Sequence, residues 1–392
     1  MPAPLTLSAR AQALKPSLTL AITAKARQLR SEGRDICSLS AGEPDFDTPA
    51  FIRAAAAAAL EAGHTRYGPV AGEPALRAAI AAKLTGENGV PTRAEQVLVT
   101  NGGKQALYNL FQVLLDPGDE LLQPSPYWLS YPEMAHLAGA RVTLIPCEPG
   151  GGFRLDAGRL EAAISPASRL LVLNSPGNPT GAVLSRDDLE RIAAVLRRHP
   201  RLTVVCDEIY EYLLSPGQQH HSLAAVAPDL AERVFIVNGF AKGWAMTGWR
   251  VGWLAGAAEV VAAASALQSQ STSNVCSFAQ YGALAAIEGS RECVEAMAAQ
   301  FRERRTLLSE GLQSIEGLQL VPPQGAFYAF PDVSAWGLDS MTLCNRLLEE
   351  EGLAVVPGIA FGDDRCIRLS CAAAPDTLRD GLERLQRFAA RL

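Results

Sequence analysis

Between Val97 and Ala255 the chain repeats one unit: a run of four or five mostly apolar residues, then a polar turn or a helix start. Runs at 97–100, 120–123, 141–145, 170–173, 202–206, 234–237 and 251–255 have the length and branched side chains of buried strands. Stretches 48–62, 104–115 and 128–138 read as helices, the first carrying six alanines between Arg53 and Leu60. Strands that alternate with helices imply an α/β fold, a mostly parallel sheet covered on both faces. From Glu292 the pattern changes to a long charged helix followed by short strands at 326–330, 354–356 and 366–369. A chain of 392 residues exceeds one compact core, so a large domain and a smaller α+β one are expected.

Composition narrows the function. Apolar residues make up 48% and charged ones 19%, as in an ordinary globular protein. A net charge of −6 without a basic block speaks against nucleic acid. No apolar run approaches the roughly 20 residues of a spanning helix, and no apolar leader opens the chain. Eight cysteines without paired spacing read as reduced thiols. A cytoplasmic protein without membrane contact is expected. Five histidines show no ligand spacing, with His220 and His221 in a polar loop, so no metal site is expected.

The strand ends carry the chemistry. Lys242 lies among small and apolar residues just after the run 234–237, with Arg250 eight positions on. Desolvation disfavours an ammonium, which leaves such a lysine nucleophilic toward aldehydes. The arginine suits a phosphate. Asp207 follows the run 202–206, at the ligand edge of an open α/β sheet, where it suits a protonated pyridine nitrogen. Tyr210, three residues on, suits the phenolic oxygen of the same ring. Asn178 precedes Pro179 in LLVLNSPGNPTG, so its backbone is extended and its amide presented sideways. Gly102 and Gly103 join a strand to a helix start, where free N–H groups favour an anion. Each segment alone has an ordinary reading: solvated cations, a capping aspartate, a plain turn. Together they point to pyridoxal 5'-phosphate.

NPTG at 178–181, DEIY at 207–210, AK at 241–242 and MTGWRVG at 246–252 closely resemble class I pyridoxal-phosphate aminotransferases of fold type I. The resemblance runs from Pro16 to about Leu392. It is strongest to the bacterial aspartate aminotransferase subgroup with its prephenate-active relatives, on Tyr67-Gly68-Pro69, on 102–107 and on Ser125–Trp128. It implies a small domain of 1–45 with 291–392 around a large domain of 46–290. It also implies a homodimer with shared active sites, in which Tyr67 reaches the partner's phosphate. Trp128 matches the residue stacked on the pyridine ring, its alternative being a core tryptophan. Many relatives have a hydroxyl residue where this chain has Gly239, so one phosphate contact is missing.

Two ends of the substrate are implied. Arg368 is a cation in an apolar strand without a local acid, and a substrate α-carboxylate would supply one. Gly42 matches a glycine whose backbone contacts the same carboxylate. Lys104 stands at a helix start, where the dipole opposes a cation. It matches the lysine that reads a distal carboxylate, with Thr19 helping and Lys15 a weaker candidate; a phosphate contact or a solvated side chain is the alternative. The expected reaction is a ping-pong transamination with Lys242 as general base, aspartate with 2-oxoglutarate first and glutamate with prephenate as rival. A carbon–sulfur lyase on the same cofactor and a ligand-sensing regulator are the remaining readings.

Overall fold

The computed structural model describes residues 5–14 and 18–392. Lys15 lies outside them, and the side chain of Thr19 is likewise not described.

Among the described residues, twelve strands form three sheets: β1 (Cys37–Ser38), β2 (Val97–Thr100), β3 (Glu120–Ser125), β4 (Arg141–Pro146), β5 (Ser168–Asn174), β6 (Thr203–Asp207), β7 (Val234–Gly239), β8 (Gly252–Ala255), β9 (Tyr328–Ala329), β10 (Leu353–Ala354), β11 (Val356–Pro357) and β12 (Ile367–Ser370). The main sheet has seven strands in the order β2-β8-β7-β6-β5-β3-β4. Its members are parallel except β8, which runs against both of its neighbours.

Alternation explains the apolar runs. Leu171, Leu173, Val204 and Cys206 enter the core on one face of the sheet. Leu170, Val172, Val205 and Phe235 enter the core on the other. A strand covered on both faces has no polar side, so its sequence reads as a block rather than as an alternation.

A further core gathers Leu39 with Phe301, Leu312, Phe327, Leu347, Leu369 and Phe388. It packs the 22-residue helix Glu292–Gln313 and helix Pro375–Ala389 on the smaller sheets. There β1 pairs in parallel with β10, while β11-β12-β9 form an antiparallel sheet. The strand expected at 354–356 is in fact two. β10 ends at Ala354 on the pairing with β1, and β11 starts at Val356 on the pairing with β12. Helix Ala50–Glu61 starts two residues later than expected, because Pro49 caps it in an extended conformation and a residue before proline, here Thr48, is disfavoured as helix. Helix Ser130–Leu137 leaves Trp128 outside its first turn.

The antiparallel β8 has a simple cause. The β7–β8 connection, 240–251, holds only turns and the short 3₁₀ segment Thr247–Trp249, so no crossover helix carries the chain back. The same connection carries Lys242 and Arg250. Among the described residues no helix is long and apolar enough to cross a membrane.

Candidate active site

The carboxyl ends of β5, β6 and β7 open onto a cavity of about 580 Å³ between the main sheet and the smaller sheets. Lys242, half-buried in its wall, donates from Nζ to the Gly42 carbonyl and lies 5.5 Å from the Phe327 ring and 5.8 Å from that of Tyr210. Desolvation pulls its pKa down to about 8. Glu43 and Asp207 act in the opposite sense, and Arg368 and Arg250 add to the fall.

Asp207 is the last residue of β6 and is buried. Its Oδ2 accepts from the Tyr131 hydroxyl at 2.7 Å, and Oδ1 from the Ile209 N–H at 3.3 Å. Burial nevertheless raises this carboxyl to about 6, with Glu208 adding to the rise and the two hydrogen bonds and Lys242 opposing it. A carboxylate in that condition favours a cationic N–H as its neighbour.

Asn178 lies in the turn after β5, where its N–H donates to Asn174 Oδ1 at 2.8 Å. Its Oδ1 accepts from Arg368 Nη1 at 3.1 Å, which leaves the amide nitrogen as donor for another ligand. Tyr210 shares a 3.0 Å hydrogen bond with the Tyr328 hydroxyl. Arg368 is 2% exposed and also donates to the Ser40 carbonyl at 3.0 Å, with its guanidinium 4.4 Å from the Tyr328 ring. Its Nε has no partner, and no carboxylate pairs with it among the described residues. A buried cation in that state needs an anion from outside the chain.

The anion end is built by close approach. Gly102, at φ 78°, precedes helix Gly103–Leu114. A Cβ there would lie 2.6 Å from Arg250 Nη2, so only glycine lets the guanidinium cover the helix start. Arg250 donates to the carbonyls of Thr247 at 2.9 Å and Asn101 at 3.3 Å. Beneath them, Gly239 pairs with Gly252 across β7 and β8. A Cβ on Gly239 would stand 2.9 Å from Gly252 Cα, and one on Gly252 would stand 2.5 Å from the Gly103 nitrogen. The missing hydroxyl at 239 therefore has a steric counterpart: three backbones touch there.

Trp128 lines the cavity half-buried, and Lys104 Nζ sits 4.9 Å above its ring. Burial lowers the Lys104 pKa, and the charge of Arg250 adds to the shift. Gly42 and Gly103 line the same cavity. Tyr67 does not: it is 90% exposed on its own chain. Tyr131, Tyr328, Asn174 and Ser40 went unread in the sequence. A tyrosine three residues after Trp128 was visible, but nothing local distinguishes an aromatic that holds a carboxylate from one that fills a core.

His220 does lie in a loop, but not a solvated one. Its side chain is nearly buried and stands 3.1 Å from Glu208, and with Glu211 the three ligand atoms lie within 4.8 Å. Burial works against the imidazolium, but Glu208 and Glu211 outweigh it and the pKa rises. Both Glu211 oxygens are taken by Lys83 Nζ at 2.5 and 2.6 Å, so an internal cation already fills the cluster.

The cavity thus offers an amine, a buried carboxylate, an amide with a phenol, and a helix start under an arginine. An aldehyde, a pyridine nitrogen, a phenolic oxygen and a phosphate are their complements, and pyridoxal phosphate carries all four. Residues 34–385 match the family described as aminotransferase class I and II. The chain belongs to that family. The aspartate/prephenate aminotransferase of Thermus thermophilus is 48% identical over 388 residues, 98% of this chain and 99% of that protein. A bifunctional aspartate and glutamate/aspartate-prephenate aminotransferase of Petunia hybrida is 45% identical, over 98% of this chain and 82% of its own length. Among solved structures, the Thermus thermophilus aspartate aminotransferase with maleate superposes with a TM-score of 0.94 at 47% identity, covering 98% of this chain and 100% of that one. The Rhizobium meliloti aspartate aminotransferase gives 0.96 at 38% identity, covering 99% and 100%. This aminotransferase is a pyridoxal-phosphate-dependent transaminase acting on amino acids and 2-oxo acids.

Proposed function

We propose that this aminotransferase takes its amino group from aspartate or glutamate and passes it to 2-oxoglutarate or oxaloacetate in a ping-pong cycle. The observation that carries the reading is Lys104. After Arg368 is assigned to the α-carboxylate and Arg250 to the phosphate, this lysine still faces the cavity without an acid. The maleate in the Thermus thermophilus structure is itself a four-carbon dicarboxylate, which supports the same choice.

Lys242 would hold the cofactor through its aldehyde, Asp207 its ring nitrogen, Asn178 and Tyr210 its phenolic oxygen, and Trp128 its ring face. Gly102, Gly103 and Arg250 would hold its phosphate. When bound, pyridoxal phosphate supplies an electron sink for the charge left at the substrate Cα. Freed Lys242 takes the Cα proton; an amine that titrates near 8 is matched to that exchange at neutral pH. Arg368, with the Gly42 backbone beside it, fixes the α-carboxylate and so the direction of the Cα–H bond. Asn178 couples the two ends, since its oxygen is already engaged by Arg368.

Prephenate as a second acceptor is supported by the names of the Thermus and Petunia relatives. We further infer a cytoplasmic homodimer with Tyr67 reaching across to the partner's phosphate, a large domain of 46–290, and a small domain of 1–45 with 291–392. Aspartate added to the holoenzyme without an acceptor should release one oxaloacetate per site and leave the cofactor aminated. Amination by alanine or aromatic donors but not by aspartate would keep the transaminase and overturn the acidic-substrate reading.

A further inference from the structure

With the cofactor and α-carboxylate contacts assigned, two cations lining the cavity remain without an acid among the described residues: Lys104 and Arg27. They come from different parts of the molecule. Lys104 opens helix Gly103–Leu114 on the main sheet, against the Trp128 ring. Arg27 lies on helix Leu18–Ser31, which packs on β10 and β11 through Ile22, Ala26 and Leu29. That packing turns positions 23 and 27, one turn apart, toward the cavity, and both line it. The Arg27 side chain is exposed, with no ion pair or hydrogen bond among the described residues. The carboxylates that share the cavity are engaged elsewhere: Glu43 accepts from Thr247 at 2.7 Å, and Asp207 from Tyr131.

The two cations are not equivalent. Lys104 is held against an aromatic face and shares its surroundings with Arg250, so its field also acts on the anion at the helix start. Arg27 has no such neighbour, and one turn before it on the same helix the Thr23 hydroxyl lies 3.4 Å from that of Ser40. A substrate fixed on Arg368 therefore meets one cation on the cofactor side and a second, longer one on the N-terminal helix.

We propose that Arg27 is a specificity-determining residue that binds the distal carboxylate of substrates longer than aspartate: five- and six-carbon amino or 2-oxo diacids, and acids that carry the second carboxylate on a ring. Lys104 serves the four-carbon pair. This rests on the acidic-substrate reading above and divides it between two residues according to length.

The test measures kcat/KM of the holoenzyme for aspartate, glutamate, 2-aminoadipate and alanine, in wild type and in Arg27→Gln and Arg27→Lys. Arg27→Gln should lower kcat/KM for glutamate and 2-aminoadipate by about tenfold, as expected for loss of one charge-assisted contact at a rim. The loss should fall on KM, with kcat kept, while aspartate and alanine stay within about twofold. Arg27→Lys should restore part of the loss. A wild type that prefers diacids, combined with an Arg27→Gln variant that keeps every ratio or loses activity on all four substrates alike, overturns the assignment of Arg27 alone. A wild type that does not prefer diacids over alanine overturns the acidic-substrate reading, and Arg27 with it.

Discussion

An amine that titrates near 8 and a carboxyl that titrates near 6 face one cavity, and removal from water displaces both. Below about 8 the side chain of Lys242 is an ammonium; above it, a free amine. Aldehyde capture by the cofactor-free protein should therefore quicken roughly tenfold per pH unit on approaching 8 from below, and level off above it. Stopped-flow uptake of pyridoxal phosphate between pH 6 and 11 measures this, and a break near 10.5 would show that the lysine is not shielded. Asp207 gives the opposite case. Tyr131→Phe removes one of the two hydrogen bonds that hold its carboxyl down, so its pKa should climb further. Loss of one hydrogen bond to a charged group is worth about 1.5–3 kcal/mol, or at least a tenfold fall in kcat, with the acidic limb of the pH profile moved upward. Arg368→Gln should cost more, about 100-fold in kcat/KM for every amino acid, because it removes the buried partner of a group common to all of them. Arg368 was legible from sequence because a cation in an apolar strand is a conflict that demands a ligand. Tyr328, which stacks on it, was not.

Elements were legible where burial forces composition. The central parallel strands announced themselves because both of their faces are covered, and blocks of Leu, Val and Ile follow from that alone. Direction was not legible, since a strand returning through turns carries the same residues as one returning through a helix; β8 shows this. Nor was the break between β10 and β11, where the buried residues Ala354 and Val356, one residue apart across Val355, serve different sheets. At the phosphate end the glycines of β7 and β8 can be tested directly. Gly239→Ser would supply a hydroxyl, but its Cβ meets the β8 backbone. Overpacking of this kind costs about 1–3 kcal/mol. The variant should therefore melt lower and bind the cofactor no more tightly, which thermal denaturation and equilibrium binding of pyridoxal phosphate would show. Tighter binding at unchanged stability would mean that β7 and β8 can separate.

At the scale of the whole molecule, the cavity exists only where two cores meet. Lys242 follows a strand of the main sheet, yet its amine bonds the Gly42 carbonyl, and Arg368 from β12 bonds Asn178 from the turn after β5. Tyr67 stands apart from both cores, 90% exposed and outside the cavity of its own chain. If a second copy completes the phosphate contact, Tyr67→Ala should weaken cofactor binding while leaving the melting of the cofactor-free protein within about 0.5 kcal/mol, as for an exposed site. Activity per chain should then fall on dilution through the dissociation range. Constant activity into a monomeric regime would contradict a shared site.

The contact of Gly239, Gly252 and the Gly102–Gly103 pair also bears on how such a chain can change over time. A Cβ at Gly239 or Gly252 would meet backbone and Gly102 stands at φ 78°, so these three offer no neutral single step, whereas Gly103 has room for one. A lineage starting here reaches a hydroxyl at 239 only through weakened intermediates, or after β8 has first moved outward. The order of substitutions, rather than the merit of the final residue, governs whether that variant is ever sampled.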